Sequence, residues 1–211
     1  YTQAIVLKPN LSEAHNNLGV TLQELGRLDE ACSAYIQAIN LNIDFTDAYV
    51  NLSLAVKKAK FNSLNRKLYE PLIQLLTTRN FTRPKDVARS ILSLLRHDPL
   101  IKDLLLMKNV ATNLKEVISI IGSLDKLKLL HHLMRVCPLP DLQFERFFVT
   151  MRRIILTNLN KIEASPELIY FLSSLSLHCF TNEYVYVESD KEACLVEELE
   201  DNITQTFIQS E

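Results

Sequence analysis

Residues 12–41 read SEAHNNLGVTLQELGRLDEACSAYIQAINL, and this stretch decides the fold class. Apolar residues recur in it at steps of three and four, which is the period of one face of an α-helix. Gly26 interrupts the pattern where a left-handed residue ends a first helix, and a second apolar run follows it. The stretch predicts a hairpin of two α-helices, residues 12–25 and 29–41, with Asp29 capping the second helix.

The pattern of this hairpin recurs at a distance of 34 residues on either side of it. Identical residues 34 positions apart include Tyr1 and Tyr35, Ala4 and Ala38, Ile5 and Ile39, Leu7 and Leu41, Ala14 and Ala48, Asn17 and Asn51, and Leu18 and Leu52. A fixed period of this length is typical of stacked helical hairpins. Residues 1–7 are predicted to be the second helix of a truncated repeat closed by Pro9, and residues 46–58 the first helix of the next repeat. The chain is therefore expected to be a piece of a longer protein.

The spacing of small and bulky residues within the hairpin resembles the tetratricopeptide repeat signature. The residues that carry the resemblance are Leu18, Gly19, Leu22, Gly26, Ala31, Tyr35 and Ala38. Gly19 and Ala31 are expected where the two helices cross, since a larger side chain would separate them. Two residues depart from the signature: His15 stands at a position that is often aromatic, and Ile43 replaces the usual Pro. The resemblance implies an α-solenoid that binds a protein or a peptide.

Beyond residue 60 the 34-residue identities fade, while helical periodicity persists. The predicted helices are residues 65–77, 84–95, 100–107, 114–121, 124–136, 142–159, 166–180 and 192–207. Ser165 is placed to cap one of them, and Ser189 with Glu192 forms a capping box at another. The prediction is an all-α fold: tetratricopeptide hairpins over residues 1–60, and a degenerate helical extension or a separate helical domain over residues 61–211.

Residues 63–211 carry a second resemblance. The segments RPKDV (83–87), SLL (93–95), VCPLP (136–140) and SPELIYFLSSLSLHCFTNEYVY (165–186) resemble the helical region of bacterial tetratricopeptide proteins with a SAM-dependent methyltransferase domain farther on. This resemblance implies an alternative role, the docking or substrate-recruiting arm of a larger methyltransferase. A catalytic domain of that kind needs a strand followed by a glycine-rich turn. No such turn occurs in this sequence, so the domain is expected beyond Glu211 and this segment is predicted to be non-catalytic.

Composition narrows the function further. The net charge is −2 and the basic residues are scattered along the chain, so no footprint of a nucleic-acid binder is visible. Cys32, Cys137, Cys179 and Cys194 share no close spacing, which argues against a zinc site and favours buried free thiols in a reducing compartment. Adjacent residues His131 and His132 point about 100° apart on a helix and cannot easily share a metal ion. We expect a cytoplasmic protein with no metal, no cofactor and no membrane span.

The most specific candidate site is the pair Asn17 and Asn51, which occupy the same place in successive repeats. The resemblance puts this place in a concave groove, where an amide can pair with the peptide group of an extended ligand; the alternative is that Asn is simply tolerated there. The predicted groove residues are Asn16, Asn17, Val20, Gln23 and Glu24, followed by Val50, Asn51, Leu54, Lys57 and Lys58. A clamp for a C-terminal carboxylate is not expected, because Asn16 and Val20 stand where it needs Lys and Asn. The sequence specifies neither the partner nor the oligomeric state.

Overall fold

A computed structural model describes residues 11–77, 81–106, 113–181 and 189–209, and all regular structure in these ranges is helical. The prediction of an all-α fold is confirmed, while the predicted helix over residues 1–7 lies outside the described residues. The α-helices are α1 Ser12–Glu24, α2 Leu28–Leu41, α3 Thr46–Lys58, α4 Tyr69–Thr77, α5 Pro84–Leu95, α6 Pro99–Leu106, α7 Leu114–Leu124, α8 Lys128–Val136, α9 Leu142–Leu156, α10 Pro166–Thr181 and α11 Asp190–Gln209. Short 3-10 helices span Arg66–Leu68 and Leu159–Lys161.

The turn between α1 and α2 is encoded locally, as predicted. Gly26 has a φ of 74°, and its N–H bonds the carbonyl of Gln23 while that of Arg27 bonds the carbonyl of Leu22. These two bonds close the end of α1 in the motif that a left-handed residue permits. The predicted capping role of Asp29 is wrong: the turn is so short that α2 already begins at Leu28, after Arg27, and Asp29 lies inside its first turn.

The two helices of the hairpin cross at Gly19. The Tyr35 ring of α2 lies directly over Gly19 of α1, and Tyr35 and Ala31 are fully buried. The small residue of the repeat signature thus provides the space that the Tyr35 ring occupies, which confirms the predicted crossing point.

Helix α3 packs against α1 and α2, and α5 lies next to α3 in turn. Lys57 Nζ, near the end of α3, is 2.9 Å from Asp86 Oδ2, near the start of α5. Farther along, the Phe61 N–H donates to Ser93 Oγ, and the Phe61 carbonyl lies 3.0 Å from His97 Nε2. Lys57 contacts Asp86, and Phe61, which comes later in the chain, contacts the later residues Ser93 and His97. Helix α5 therefore runs in the same direction as α3 but is displaced along it.

The later helices share one apolar core with the hairpins. Helix α8 packs against α4, α5 and α10, while α9 contacts α6, α7 and α11. Among the described residues, this core is continuous from Leu22 in α1 to Cys179 in α10. The broad apolar stripe predicted for α9 is confirmed, since Phe144, Phe147 and Phe148 are buried in this core.

Several predicted boundaries shift. The helix expected over residues 124–136 begins at Lys128, because Leu124 ends α7 and Leu127 is buried in the intervening turn. The helix expected over 142–159 ends at Leu156 and is followed by a 3-10 turn, and the one expected from residue 65 starts with the 3-10 helix Arg66–Leu68. Helix α11 is longer than the predicted 192–207.

The caps predicted at Ser165 and at Ser189 with Glu192 are confirmed. Ser165 Oγ accepts from the N–H of Leu168 at 3.2 Å. At the start of α11, Glu192 Oε2 accepts from the Ser189 N–H at 3.0 Å, and the Glu192 N–H donates back to Ser189 Oγ at 3.4 Å. These reciprocal bonds satisfy main-chain donors that a helix start leaves open.

The cysteines differ from the prediction at one position. Cys32, Cys137 and Cys179 are buried free thiols, but Cys194 on α11 is exposed because it falls on the solvent side of that helix. Within the described ranges, none of the helices is long and apolar enough to cross a lipid bilayer.

Candidate functional site

The predicted groove lies on α1 and α3, where one hydrogen bond links the two helices. Asn51 Nδ2 on α3 donates to Asn16 Oδ1 on α1 at 3.0 Å. Asn16 is only 8% exposed, so the bond satisfies an amide that water hardly reaches. The link holds the faces of α1 and α3 side by side.

The predicted groove residues differ in how far they reach the surface. Asn17, Val20, Glu24, Val50, Leu54, Lys57 and Lys58 are exposed, Gln23 and Asn51 are half-buried, and Asn16 is buried. The two members of the predicted amide pair are therefore not equivalent. Asn17 is exposed and next in sequence to Asn16, whereas Asn51 is half-buried and donates to Asn16 instead of facing solvent freely.

Three apolar side chains in this face are open to solvent. Val20 is 36% exposed, Val50 is 39% exposed and Leu54 is 47% exposed. Val50 and Leu54 are four residues apart on α3, so they lie one above the other on the same side of the helix. Together with the exposed side chain of Asn17, they make the predicted groove face partly apolar and partly polar.

Gln23 has a structural partner. Its Oε1 atom accepts from the Tyr35 hydroxyl at 3.2 Å, and burial raises the pKa of Tyr35 to about 12. A phenol that stays protonated is a permanent donor, so the Gln23 carbonyl oxygen is held by Tyr35. Only the amide nitrogen of Gln23 is then left to serve the predicted groove.

Two of the predicted groove residues, Lys57 and Lys58, also line a cavity at the junction of α3 with α5. Lys57 pairs with Asp86 of α5, and a cavity of about 590 Å³ opens at this junction. The cavity is lined by Lys57, Lys58, Ala59, Lys60, Lys85, Asp86, Arg89, Ser90, Ser93 and Pro140. Sequence reasoning placed Lys57 and Lys58 in the groove but missed Lys60, Lys85 and Arg89. No pattern in the sequence indicated these three residues, because the 34-residue identities that located the groove positions fade at residue 60.

His131 and Cys32 are buried in the protein interior and have no reactive setting. The Ser174 hydroxyl donates to the Tyr170 carbonyl, so the Nδ1–H of His131 donates to Ser174 Oγ at 3.0 Å. Burial lowers the pKa of His131 and raises that of the Cys32 thiol to about 12. A thiol that stays protonated is a poor nucleophile. Among the described residues, no group of three His, Cys, Asp or Glu side chains is placed to hold a metal ion.

The model of the tetratricopeptide repeat family matches residues 1–33 of this chain. The matched segment contains α1 with Gly19, the left-handed Gly26 and the start of α2 with Ala31, so it includes the turn described above and ends before Tyr35. The match supports a protein of the tetratricopeptide type, and hence a protein-interaction scaffold. No curated protein and no solved structure gives a significant match to the chain.

Proposed function

We propose that this chain is a non-catalytic scaffold that binds a protein partner through an extended peptide, held on the exposed face of α1 and α3. The observation that carries the proposal is the Asn51–Asn16 hydrogen bond, because it fixes two neighbouring first helices of the repeats side by side. A face that is already ordered loses less conformational entropy when a ligand binds to it.

The chemistry of this face suits a peptide in extended conformation. Val20, Val50 and Leu54 offer apolar contacts to side chains, and the exposed amide of Asn17 offers a donor and an acceptor to a peptide group. Amide contacts of this kind bind the main chain of the peptide, so they are compatible with many different side chains. The selectivity of the scaffold must then come from the apolar contacts and from charges at the edges of the face.

The test is a selection of peptides from a random phage-displayed library on the intact chain, followed by Kd measurements with the selected peptides. Leu54→Glu and Asn17→Ala are expected to weaken binding. Matched controls are Gln37→Ala and Asn40→Ala, which change exposed polar residues of α2 outside the predicted groove. Failure to select any peptide, or equal Kd values for groove and control variants, would contradict the proposal.

Four further predictions accompany this function. The protein acts in the cytoplasm, it binds no nucleic acid, and residues 61–211 continue the hairpins of residues 1–60 as a helical extension, so limited proteolysis between residues 60 and 64 should fail to separate the two parts. The fourth is that a SAM-dependent methyltransferase domain follows the segment in the full protein. It is supported by the resemblance of residues 63–211 alone, and the sequence of the full-length gene tests it.

A further inference from the structure

The cavity between α3 and α5 concentrates positive charge. Of the described residues that line it, five are cations and one is a carboxylate, in a chain whose net charge is −2. The cations are Lys57, Lys58, Lys60, Lys85 and Arg89, and the carboxylate is Asp86. All five cationic side chains are exposed. We call this cavity the basic cleft.

The displacement of α5 along α3 produces the basic cleft. The last turn of α3 carries Lys57 and Lys58, while the first turns of α5 carry Lys85 and Arg89 four residues apart on one side of the helix. Between them, Lys60 stands in the extended segment before Phe61. Phe61 is 3% exposed and its main chain is bonded to Ser93 and His97, so the backbone that carries Lys60 is fixed in place.

Most of this charge is not compensated within the protein. Lys57 is paired with Asp86, and its hydrogen bond, with the nearby charges of Arg83 and Lys85, holds the pKa of Asp86 below its usual range. Lys58, Lys60, Lys85 and Arg89 form no ion pair with any residue that the structure describes. Like charges brought together without partners repel one another, and a bound anion relieves that repulsion.

We infer that the basic cleft binds an acidic segment, rich in Asp and Glu, of the same polypeptide that occupies the groove. This inference rests on the proposed function, since the groove and the cleft share Lys57 and Lys58. Four of the five cations are Lys, which are separate, flexible point charges and suit several carboxylates spaced along a chain. Among the described residues, no aromatic side chain lines the cleft, so this lining offers no stacking platform of the kind that single-stranded nucleic acid uses.

The probe for the test is a fluorescein-labelled peptide of ten glutamates, measured by fluorescence anisotropy on the full chain at low salt. The cleft variant is Lys58→Gln/Lys60→Gln/Lys85→Gln/Arg89→Gln. The control variant, Lys102→Gln/Lys115→Gln/Lys126→Gln/Lys128→Gln, removes the same number of exposed charges elsewhere. We expect the cleft variant to weaken binding about tenfold, since each exposed charge pair contributes only modestly, and the control variant to retain most of the affinity. Equal losses in both variants, or no loss in the cleft variant, would overturn the inference.

Two further arms separate this inference from its alternatives. A labelled ten-residue oligothymidylate that binds more tightly than the glutamate peptide, with the same loss in the cleft variant, would assign the cleft to nucleic acid and overturn the inference. Peptides selected on the α1–α3 face report on the groove separately. If the glutamate peptide binds but no peptide is selected on the α1–α3 face, the cleft is an anion site and the inferred polypeptide partner is overturned together with the proposed function. If groove peptides bind but the glutamate peptide does not, only the inference about the basic cleft is overturned.

Discussion

The ring of Tyr35 covers Gly19 so closely that a Cβ atom at position 19 would lie 2.5 Å from Tyr35 Cε1. Tyr35 is fully buried and its hydroxyl is bonded to Gln23, so the ring has little room to move away. The Gly19–Tyr35 contact therefore sets how closely α1 and α2 approach.

Gly19→Leu is expected to lower the free energy of unfolding by about 3 kcal/mol, because the added side chain overpacks the crossing point. Urea denaturation followed by circular dichroism measures this change. Gly122→Ala is the matched control: a Cβ at Gly122 meets nothing within 4 Å, so Ala in the last turn of α7 should stabilise the protein by about 0.5 kcal/mol. An unchanged midpoint for Gly19→Leu would mean that the repeat register is wrong.

Asn51→Ala is expected to reduce stability by about 1–2 kcal/mol, since it leaves the buried amide oxygen of Asn16 without its donor. Asn17→Ala changes an exposed side chain and should leave the melting temperature within about a degree. Thermal unfolding of both variants makes the comparison. If the two substitutions lower the melting temperature equally, the Asn16–Asn51 hydrogen bond does not make Asn51 more important for stability than Asn17 in solution.

Acid is expected to destabilise the fold through His178. Burial lowers the pKa of His178 from the ordinary 6.5 of a histidine to about 4. Because the unfolded chain binds the proton more readily, the contribution is complete above pH 6.5 and is lost as the pH falls towards 4. From these values the free energy of unfolding should be about 2 kcal/mol lower at pH 5 than at pH 7.5.

Urea midpoints over this pH range test the assignment of the acid sensitivity to His178. His178→Gln removes the titrating ring and should flatten the profile between pH 6.5 and 5, whatever its effect on stability at pH 7.5. A His178→Gln profile as steep as that of the parent protein would assign the sensitivity to other groups, with His131 the next to replace because burial lowers its pKa as well.

Glu192 is expected to hold the start of α11 against α9. Its side chain is only 1% exposed and lies 3.4 Å from both Arg152 Nη2 and Arg153 Nε, in addition to its two bonds with Ser189. Glu192→Ala should cost about 2 kcal/mol by removing both the capping box and the ion pairs. Hydrogen exchange should locate the loss of protection in α11; protection lost evenly over the whole chain would contradict this local role.

Most local signals in the sequence correctly predicted helix ends, although the cap expected at Asp29 was wrong. Gly26 predicted the end of α1, and Ser189 with Glu192 predicted the start of α11, because each acts within a few residues of itself. The 34-residue identities predicted the hairpin and α3 for the same reason: each repeat has a similar local environment.

Features that depend on distant segments could not be predicted in this way. Asn16 and Asn17 lie about 100° apart on one helix, and only the position of α3 decides that Asn16 is the buried partner of Asn51. The displacement of α5 is fixed by contacts of Phe61 with Ser93 and His97. Each of these two residues is more than thirty positions away from Phe61 in the sequence. Lys85 and Arg89 could therefore not be assigned to a common cleft with Lys60 before the packing was known.

The displacement of α5 has a consequence for the direction of a bound chain. Because α5 begins where α3 ends, the exposed surface changes along the molecule. Amide and apolar side chains lie on α1 and α3, and cationic side chains lie at the junction of α3 with α5. A surface whose chemical character changes along its length distinguishes a ligand sequence from its reverse. The scaffold would then accept a partner in one orientation and hold whatever follows the docked segment at a defined end of the molecule.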